Sequence, residues 1–304
     1  MPKTLEMLAT FMMVEEFLNY LRFELNRSEL TVKGYADDLE KFEAYFKSLD
    51  NHLSWESVDS DIIRDWMESM MEKGNNATSI NRRLSALRSF YRFALSRDMV
   101  KSDPSHCVQG PKKSRPLPQF LKENEMNEIL DRNMWTDSYK DVLARTIIMT
   151  FYETGMRLAE LNGLDDGDVN FTNRELKVTG KRNKQRIIPF GDELDDALKE
   201  YIDLRKRSIE PKSEGLFLSE KGERMTPNQI RYEVKKNLSK VCTLKKRTPH
   251  VLRHTFATAM LNHDAGLESL KKLLGHASLS TTEIYTHTTF EQLKRVYTNA
   301  HPRA

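Results

Sequence analysis

Four short segments of this 304-residue chain carry residue types that could act together on one phosphodiester. The first, Thr154–Leu161 (TGMRLAEL), sets Arg157 two residues after a glycine. Gly155 should end one helix and Arg157 open the next, where free backbone N–H groups favour an anion. Alone, the octapeptide is equally a helix corner with a surface arginine. The second, His250–His254 (HVLRH), puts His250 and Arg253 three apart, on one helical face. Two histidines four apart invite a zinc reading, but Val251 stands where a HExxH metalloprotease has its glutamate base. The third, Gly180–Lys184 (GKRNK), is a basic turn. The fourth, Leu273–His287 (LLGHASLSTTEIYTH), has His276 at a helix end and Tyr285 in a polar Ser/Thr context.

Together these residues make a chemical set. Two arginines can hold the non-bridging oxygens of one phosphate and stabilise the charge of a pentacoordinate transition state. Tyrosine can attack phosphorus, though with an ordinary pKa of ~10 it needs positive charge or a base nearby. A lysine or histidine can protonate the leaving hydroxyl. The sequence has no G-x-x-x-x-G-K-[ST] loop and no acidic metal cluster, and its two cysteines, Cys107 and Cys242, cannot form a CxxC motif. The implied reaction is covalent phosphoryl transfer with no metal and no cofactor. A phosphotyrosine would conserve the linkage energy, so ATP is not needed.

These residues need a scaffold, and the patterning is mainly helical. Apolar residues at 3- and 4-residue spacing include Phe11, Val14, Phe17, Leu18 and Leu21, then Tyr35, Leu39, Phe42, Tyr45 and Phe46. Two further sets are Ile62, Ile63, Trp66, Met67 and Met70, and Ile80, Leu84, Leu87, Tyr91 and Leu95. Ser28 and Ser79 are expected to start the second and fourth helices. Pro104, Pro111, Pro116 and Pro118 with Gly110 predict an exposed linker at 104–120, separating a helical domain at 1–103 from a second at 121–304. In the second, helices are expected at 122–132, 138–154, 158–163, 192–208, 227–240, 250–263, 267–274 and 289–299. Glu175–Thr179 and Gln185–Pro189 read as an antiparallel β-hairpin around the basic turn.

The net charge of +3 hides a segregation. Residues 1–75 hold 8 basic and 16 acidic side chains, whereas 76–97 hold five arginines (Arg82, Arg83, Arg88, Arg92, Arg97) and no acid. Residues 221–254 hold 10 basic and 2 acidic side chains. Any one run could be a solvated face, but several in one chain point to a nucleic-acid backbone. Candidate DNA contacts are Arg82, Arg83, Arg88 and Arg92, with Phe90, Tyr91 and Phe93 interleaved nearby, then Lys112, Lys113, Lys235, Lys236, Lys245 and Lys246. No apolar stretch approaches the ~18 residues of a membrane span. The Leu8–Val14 run is flanked by Glu6, Glu15 and Glu16, unlike a signal peptide, so a cytoplasmic protein is expected.

With TGMRLAEL, GKRNKQRIIP, HVLRHTFAT and LLGHASLSTTEIYTH in this order, the chain resembles the tyrosine recombinases of the phage-integrase type, close to the bacterial XerC/XerD group. The resemblance implies a SAM-like helical core-binding domain followed by a mostly α catalytic domain with a small antiparallel sheet. It implies Tyr285 as nucleophile, forming a 3′-phosphotyrosyl bond, and Arg157 and Arg253 as the phosphate clamp. Lys181 becomes the general acid, with Lys184 its nearest competitor, and His250 and His276 assist. Glu160 takes a supporting acidic position. The one departure from the common motif is Ala259, where a histidine usually follows HTFAT. Further implied are a homo- or hetero-tetramer on two DNA duplexes and a Holliday-junction intermediate, with the helix at 289–299 docking into a neighbour. A second recombinase and a DNA-translocase partner would fit the same scheme. Chromosome-dimer resolution is the expected role; a mobile-element integrase, a DNA invertase or a non-catalytic DNA-binding regulator are the alternatives.

Overall fold

The computed structural model describes residues 12–113, 118–180, 183–275 and 287–303. The chain divides into two units, Met1–Pro116 and Leu117–Ala304.

The first unit is helical. Helix α1 covers residues 12–24, its last turn, Tyr20–Glu24, widened to a π turn. Then follow α2 (Glu29–Leu49), α3 (Ser60–Glu72) and α4 (Ala77–Ser96). Each of the last three starts on a side-chain cap, which satisfies a backbone donor the helix cannot. Ser28 caps α2 as expected, accepting from the Thr31 N–H, and Asp59 caps α3. The α4 cap is Asn76, three residues earlier than the expected Ser79, whose own N–H donates to Asn76 Oδ1 at 2.9 Å. The core is strongly aromatic: Phe42 lies 4.8 Å from Trp66, and Trp55 lies 4.5 Å from Phe90, by ring centroids. Phe90, Tyr91 and Phe93 are buried here. They interleave with arginines because α4 turns one face inward, and they offer no stacking surface to a base.

The proline-rich stretch is only partly a linker. Val108 is buried in the N-terminal core and Ser105 is buried beside it. Arg88 Nη2 donates to the Val108 carbonyl, and Asn81 Nδ2 to the Pro111 carbonyl. Residues 104–111 therefore pack on the first unit, whereas Leu121 joins the second core.

The second unit is built round α6 (Tyr139–Thr154), packed between α8 (Asp192–Ser208), α9 (Pro227–Leu238) and α10 (Pro249–Asn262). From Val142 to Thr154, α6 is buried at almost every position. Its three buried threonines, 146, 150 and 154, tolerate this because each hydroxyl donates to the carbonyl four residues back. The smaller helices are α5 (Glu123–Leu130), α7 (Leu158–Asn162), α11 (Leu267–Leu274) and α12 (His287–Ala300). The hairpin strands β2 (Glu175–Thr179) and β3 (Gln185–Pro189) match the expected bounds, and β1 (Val169–Asn170) adds a third antiparallel strand. Leu293, Tyr297 and Ala300 of α12 pack with Phe256, Met260, Leu270 and Leu273. In this single chain the C-terminal helix thus rests on its own unit. Among the described residues no helix is long and apolar enough to cross a membrane.

Candidate active site

The site begins where α6 ends. Gly155 adopts the left-handed conformation (φ +58°) and turns the chain sharply into Arg157, the N-cap of α7. A side chain at 155 would place its Cβ 2.3 Å from Phe256 Cδ1, so the turn needs glycine for space as well as for conformation. Three residues on, buried Glu160 accepts the Arg157 backbone N–H at 2.7 Å and its Nη1 at 2.9 Å. One carboxylate thereby caps the helix and holds the side chain.

Arg253 comes from α10 and is 6% exposed. Its Nη1 donates to the Gly155 carbonyl at 2.6 Å and its Nη2 to the Leu274 carbonyl at 2.8 Å. Burial, then the charges of Arg157 and Arg186, lower its pKa to about 10, so it stays cationic at neutral pH. Arg157 Nη2 reaches the next carbonyl, Gly275, at 3.1 Å. Arg157 and Arg253, the two candidate clamp arginines, are thus anchored on the C-terminal end of α11, whose last carbonyls lack helical partners and carry the negative end of the helix dipole. With five N–H donors per guanidinium, each retains donors for a phosphate, and Arg157 is half-exposed towards solvent.

His250 opens the same helix as Arg253. Partial burial, then His254, Arg253 and Arg157, lower its pKa, which favours the neutral imidazole that proton transfer requires. The rings of His250 and His254 stand 4.8 Å apart, edge to face. Among the described residues no group of three His, Cys, Asp or Glu is arranged to hold a metal. Lys181, His276 and Tyr285 lie outside the described residues. Their flanks are described. A Cβ at Gly180, before Lys181, would sit 3.3 Å from Glu160 Oε1, and Gly275, before His276, accepts from Arg157. Both chain segments therefore enter or leave at the arginine cluster.

One residue of this cluster was not singled out from the sequence. Arg186 on β3 is 8% exposed and forks onto Glu160, Nη1 to Oε1 at 2.8 Å and Nη2 to Oε2 at 2.9 Å. Its Nε donates to the Leu273 carbonyl at 2.9 Å. Strand alternation was the signal: Arg186 shares the inward phase with Ile188 and pairs in register with buried Val178. Burial alone would raise the Glu160 carboxyl, but the Arg186 fork and then Arg157 outweigh it and hold it below the ordinary glutamate value.

The candidate DNA contacts divide. Arg82 forks onto buried Asp38, and Arg83 lies against Asp38 and Met70. Arg88 donates to backbone carbonyls of 105 and 108. All three are tied to the first unit, and the Arg82 side chain remains half-exposed beside its carboxylate. Arg92, Lys112, Lys113, Lys235, Lys236, Lys245 and Lys246 are exposed. So are Arg231 and Tyr232 on the same α9 face, which the charge count did not single out.

Comparison with known proteins gives the family. The profile of the phage integrase family matches residues 119–292, and that of the phage integrase N-terminal SAM-like domain matches residues 14–98. Tyrosine recombinase XerC of Pelotomaculum thermopropionicum is 37% identical over 301 residues, covering 96% of this chain and 98% of that protein. XerC of Chlorobaculum tepidum is 35% identical over 315 residues, covering 95% and 94%. Among solved structures, XerH site-specific recombinase in a post-cleavage complex with palindromic difH substrate superposes with a TM-score of 0.71 at 24% identity, covering 93% of this chain and 82% of that one. The Tn1549 transposon integrase with transposon right-end DNA gives 0.71 at 22%, covering 93% and 97%; at these identities the likeness is one of fold. On sequence and fold together, the chain belongs to the phage integrase family and is a site-specific tyrosine recombinase of the Xer type.

Proposed function

We propose that this chain exchanges DNA strands at a specific duplex site through Tyr285. The Tyr285 hydroxyl passes its proton to a site histidine as its oxygen attacks the scissile phosphorus, the bond to the 5′-oxygen breaks, and a 3′-phosphotyrosyl ester forms. Lys181 delivers the proton that makes the leaving oxygen a hydroxyl, while His250 and His276 assist proton movement and phosphate binding. Arg157 and Arg253 carry the charge that accumulates on the non-bridging oxygens. The incoming 5′-hydroxyl of a partner strand reverses the step and regenerates the tyrosine. Bonds broken and formed are of one kind, so neither ATP nor hydrolysis enters the balance.

The observation that carries this reading is the anchoring of two arginines on adjacent carbonyls of α11 with donors to spare. Identity of 35–37% to XerC proteins along nearly the whole chain supports resolution of chromosome dimers in the cytoplasm over integration or inversion. Exchange between two duplexes needs four active sites, hence a homo- or hetero-tetramer passing through a Holliday junction. Exposed Lys235, Lys236, Lys245 and Lys246 would follow the phosphate backbone.

The test is a nicked suicide duplex carrying a site selected by this protein from a random-sequence pool. The unaltered chain should form a covalent adduct stable to denaturant, and Tyr285→Phe should form none. An undiminished adduct in that variant refutes the nucleophile assignment.

A further inference from the structure

Glu160 raises a problem of charge. A phosphodiester in the pentacoordinate state approaches two negative charges, and Arg157 with Arg253 offers two positive ones. A buried carboxylate bonded to Arg157 would cancel one of them. The third arginine resolves this. Arg186 occupies both oxygens of Glu160 in a near-parallel fork, whereas Arg157 Nη1 reaches one oxygen only. The pair Glu160–Arg186 is almost fully buried on both sides, at 2% and 8% side-chain exposure. In that setting an ion pair acts as a neutral unit.

The same side chain sets geometry. Its Nε holds the Leu273 carbonyl, so that three consecutive carbonyls of the α11 terminus, 273, 274 and 275, are taken by Arg186, Arg253 and Arg157 in turn. A Cβ on Gly275 would come within 3.0 Å of Arg186 Nη1, which shows how closely that turn wraps the guanidinium. Because Arg186 rides on β3, it also ties the hairpin whose turn contains Lys181 to the segment that leads into His276.

We infer that Arg186 is a positioning residue for strand cleavage: it neutralises Glu160, leaving the full charge of Arg157 to the phosphate, and locks the hairpin onto the end of α11. The inference rests on the recombinase reading given above, and it concerns a residue that itself touches no DNA.

The experiment measures the single-turnover rate of adduct formation on the suicide duplex at saturating protein, alongside duplex affinity. Arg186→Met should slow cleavage by about 100-fold or more, the scale of removing one stabilising donor from a developing oxyanion, with affinity nearly unchanged. Glu160 is then free to draw Arg157 into a two-oxygen pair. Removing that carboxylate as well, in Glu160→Gln/Arg186→Met, should raise the rate at least tenfold above Arg186→Met alone. Because an orphaned buried carboxylate also costs stability, thermal melts accompany the rates, and the comparison holds for variants that are folded at the assay temperature. Cleavage by Arg186→Met at the unaltered rate, or a double variant slower than Arg186→Met, overturns the inference. Should Arg186→Met fail to fold, the double variant is compared with Glu160→Gln: similar rates support the inference, and a further tenfold loss overturns it. Absence of adduct from the unaltered chain instead sinks the Tyr285 reading, and this inference with it.

Discussion

Replacing Glu153 by glutamine should change how the catalytic unit responds to pH. Glu153 lies in the last turn of α6 and is fully buried. Its Oε2 accepts the Gly191 N–H at 3.0 Å and the Tyr297 hydroxyl at 3.3 Å, while Oε1 is buried with no partner among the described residues. Burial, opposed by the Gly191 N–H and aided by Glu193, pushes its pKa up to about 8. The folded chain thus holds a neutral acid at pH 7, where the unfolded chain, near 4.5, has lost the proton. Below pH 4.5 both states are protonated and the group costs nothing. Between 4.5 and 8 the folded state binds more protons, so stability falls as pH rises, by about 1.4 kcal/mol per unit and about 5 kcal/mol across the window at most. Glutamine keeps the two accepted hydrogen bonds and cannot ionise. Near pH 5 the two chains should agree within about 1 kcal/mol, the difference of one buried polar group. By pH 8 Glu153→Gln should be the more stable by roughly 2–4 kcal/mol, the linkage loss less that polar cost. Hydrogen exchange of full-length chain, corrected for intrinsic rates and read in peptides from 139–154 and 293–303, measures this between pH 5 and 8. Parallel pH curves for the two chains would refute a neutral Glu153. Since α12 starts two residues after Tyr285, the same curves report how firmly the helix that follows the proposed nucleophile is held.

Two further outcomes concern the fold and one the DNA interface. Gly155→Ala should destabilise the second unit by roughly 2–5 kcal/mol, from the positive φ and the overlap with Phe256, and should cut adduct yield because the Arg253 acceptor moves; a thermal melt within 1 °C of the unaltered chain would contradict it. Arg82→Ala with Arg83→Ala leaves Asp38 buried and unpaired, so about 3–5 kcal/mol of stability should disappear in urea melts of the first unit's tryptophan fluorescence. Lys235→Ala with Lys236→Ala should leave stability within about 0.5 kcal/mol and instead flatten the salt dependence of DNA binding, by ~0.9 in log–log slope for each phosphate no longer neutralised. An unchanged slope removes α9 from the interface.

Elements with clear bounds were legible. Both hairpin strands were placed to the residue because β-prone runs bracket a Gly/Asn turn, and α6 could be bounded because Gly155 stops it. The two-residue β1 has no period to detect. At the start of α4, Asn76 and Ser79 are both good caps, and only the hydrogen bond from one to the other decides between them. The arginines of α4 illustrate a deeper limit. A run of positive charge looks the same whether it faces water or a buried acid, and Asp38 is one of sixteen acids in an acidic stretch with nothing local to mark it as interior. Arg186 was hidden for the opposite reason: it stands two residues after a turn with three basic side chains, and a fourth there reads as more solvated charge.

What no side-chain pattern could reveal is the role of backbone. The arginines of the site are held chiefly by carbonyls, 155 at the end of α6 and 273, 274 and 275 at the end of α11. Such acceptors carry no sequence signature beyond the two glycines that end those helices, both left-handed. Carbonyls serve better here than carboxylates would. A dipole fixes a guanidinium without cancelling its charge, so each arginine so held remains a full cation for the phosphate. Among the described residues the site has one carboxylate beside its arginines, and that one is matched by an arginine of its own. Arg186→Lys separates the two contributions: it keeps the neutralising charge while giving up the fork and the Nε bond to Leu273. If neutralisation is the larger part, cleavage by the lysine variant should stay within about tenfold of the unaltered chain, a difference of about 1.4 kcal/mol, while methionine loses far more. Equal losses for lysine and methionine would mean that geometry, and not charge, is what the third arginine supplies.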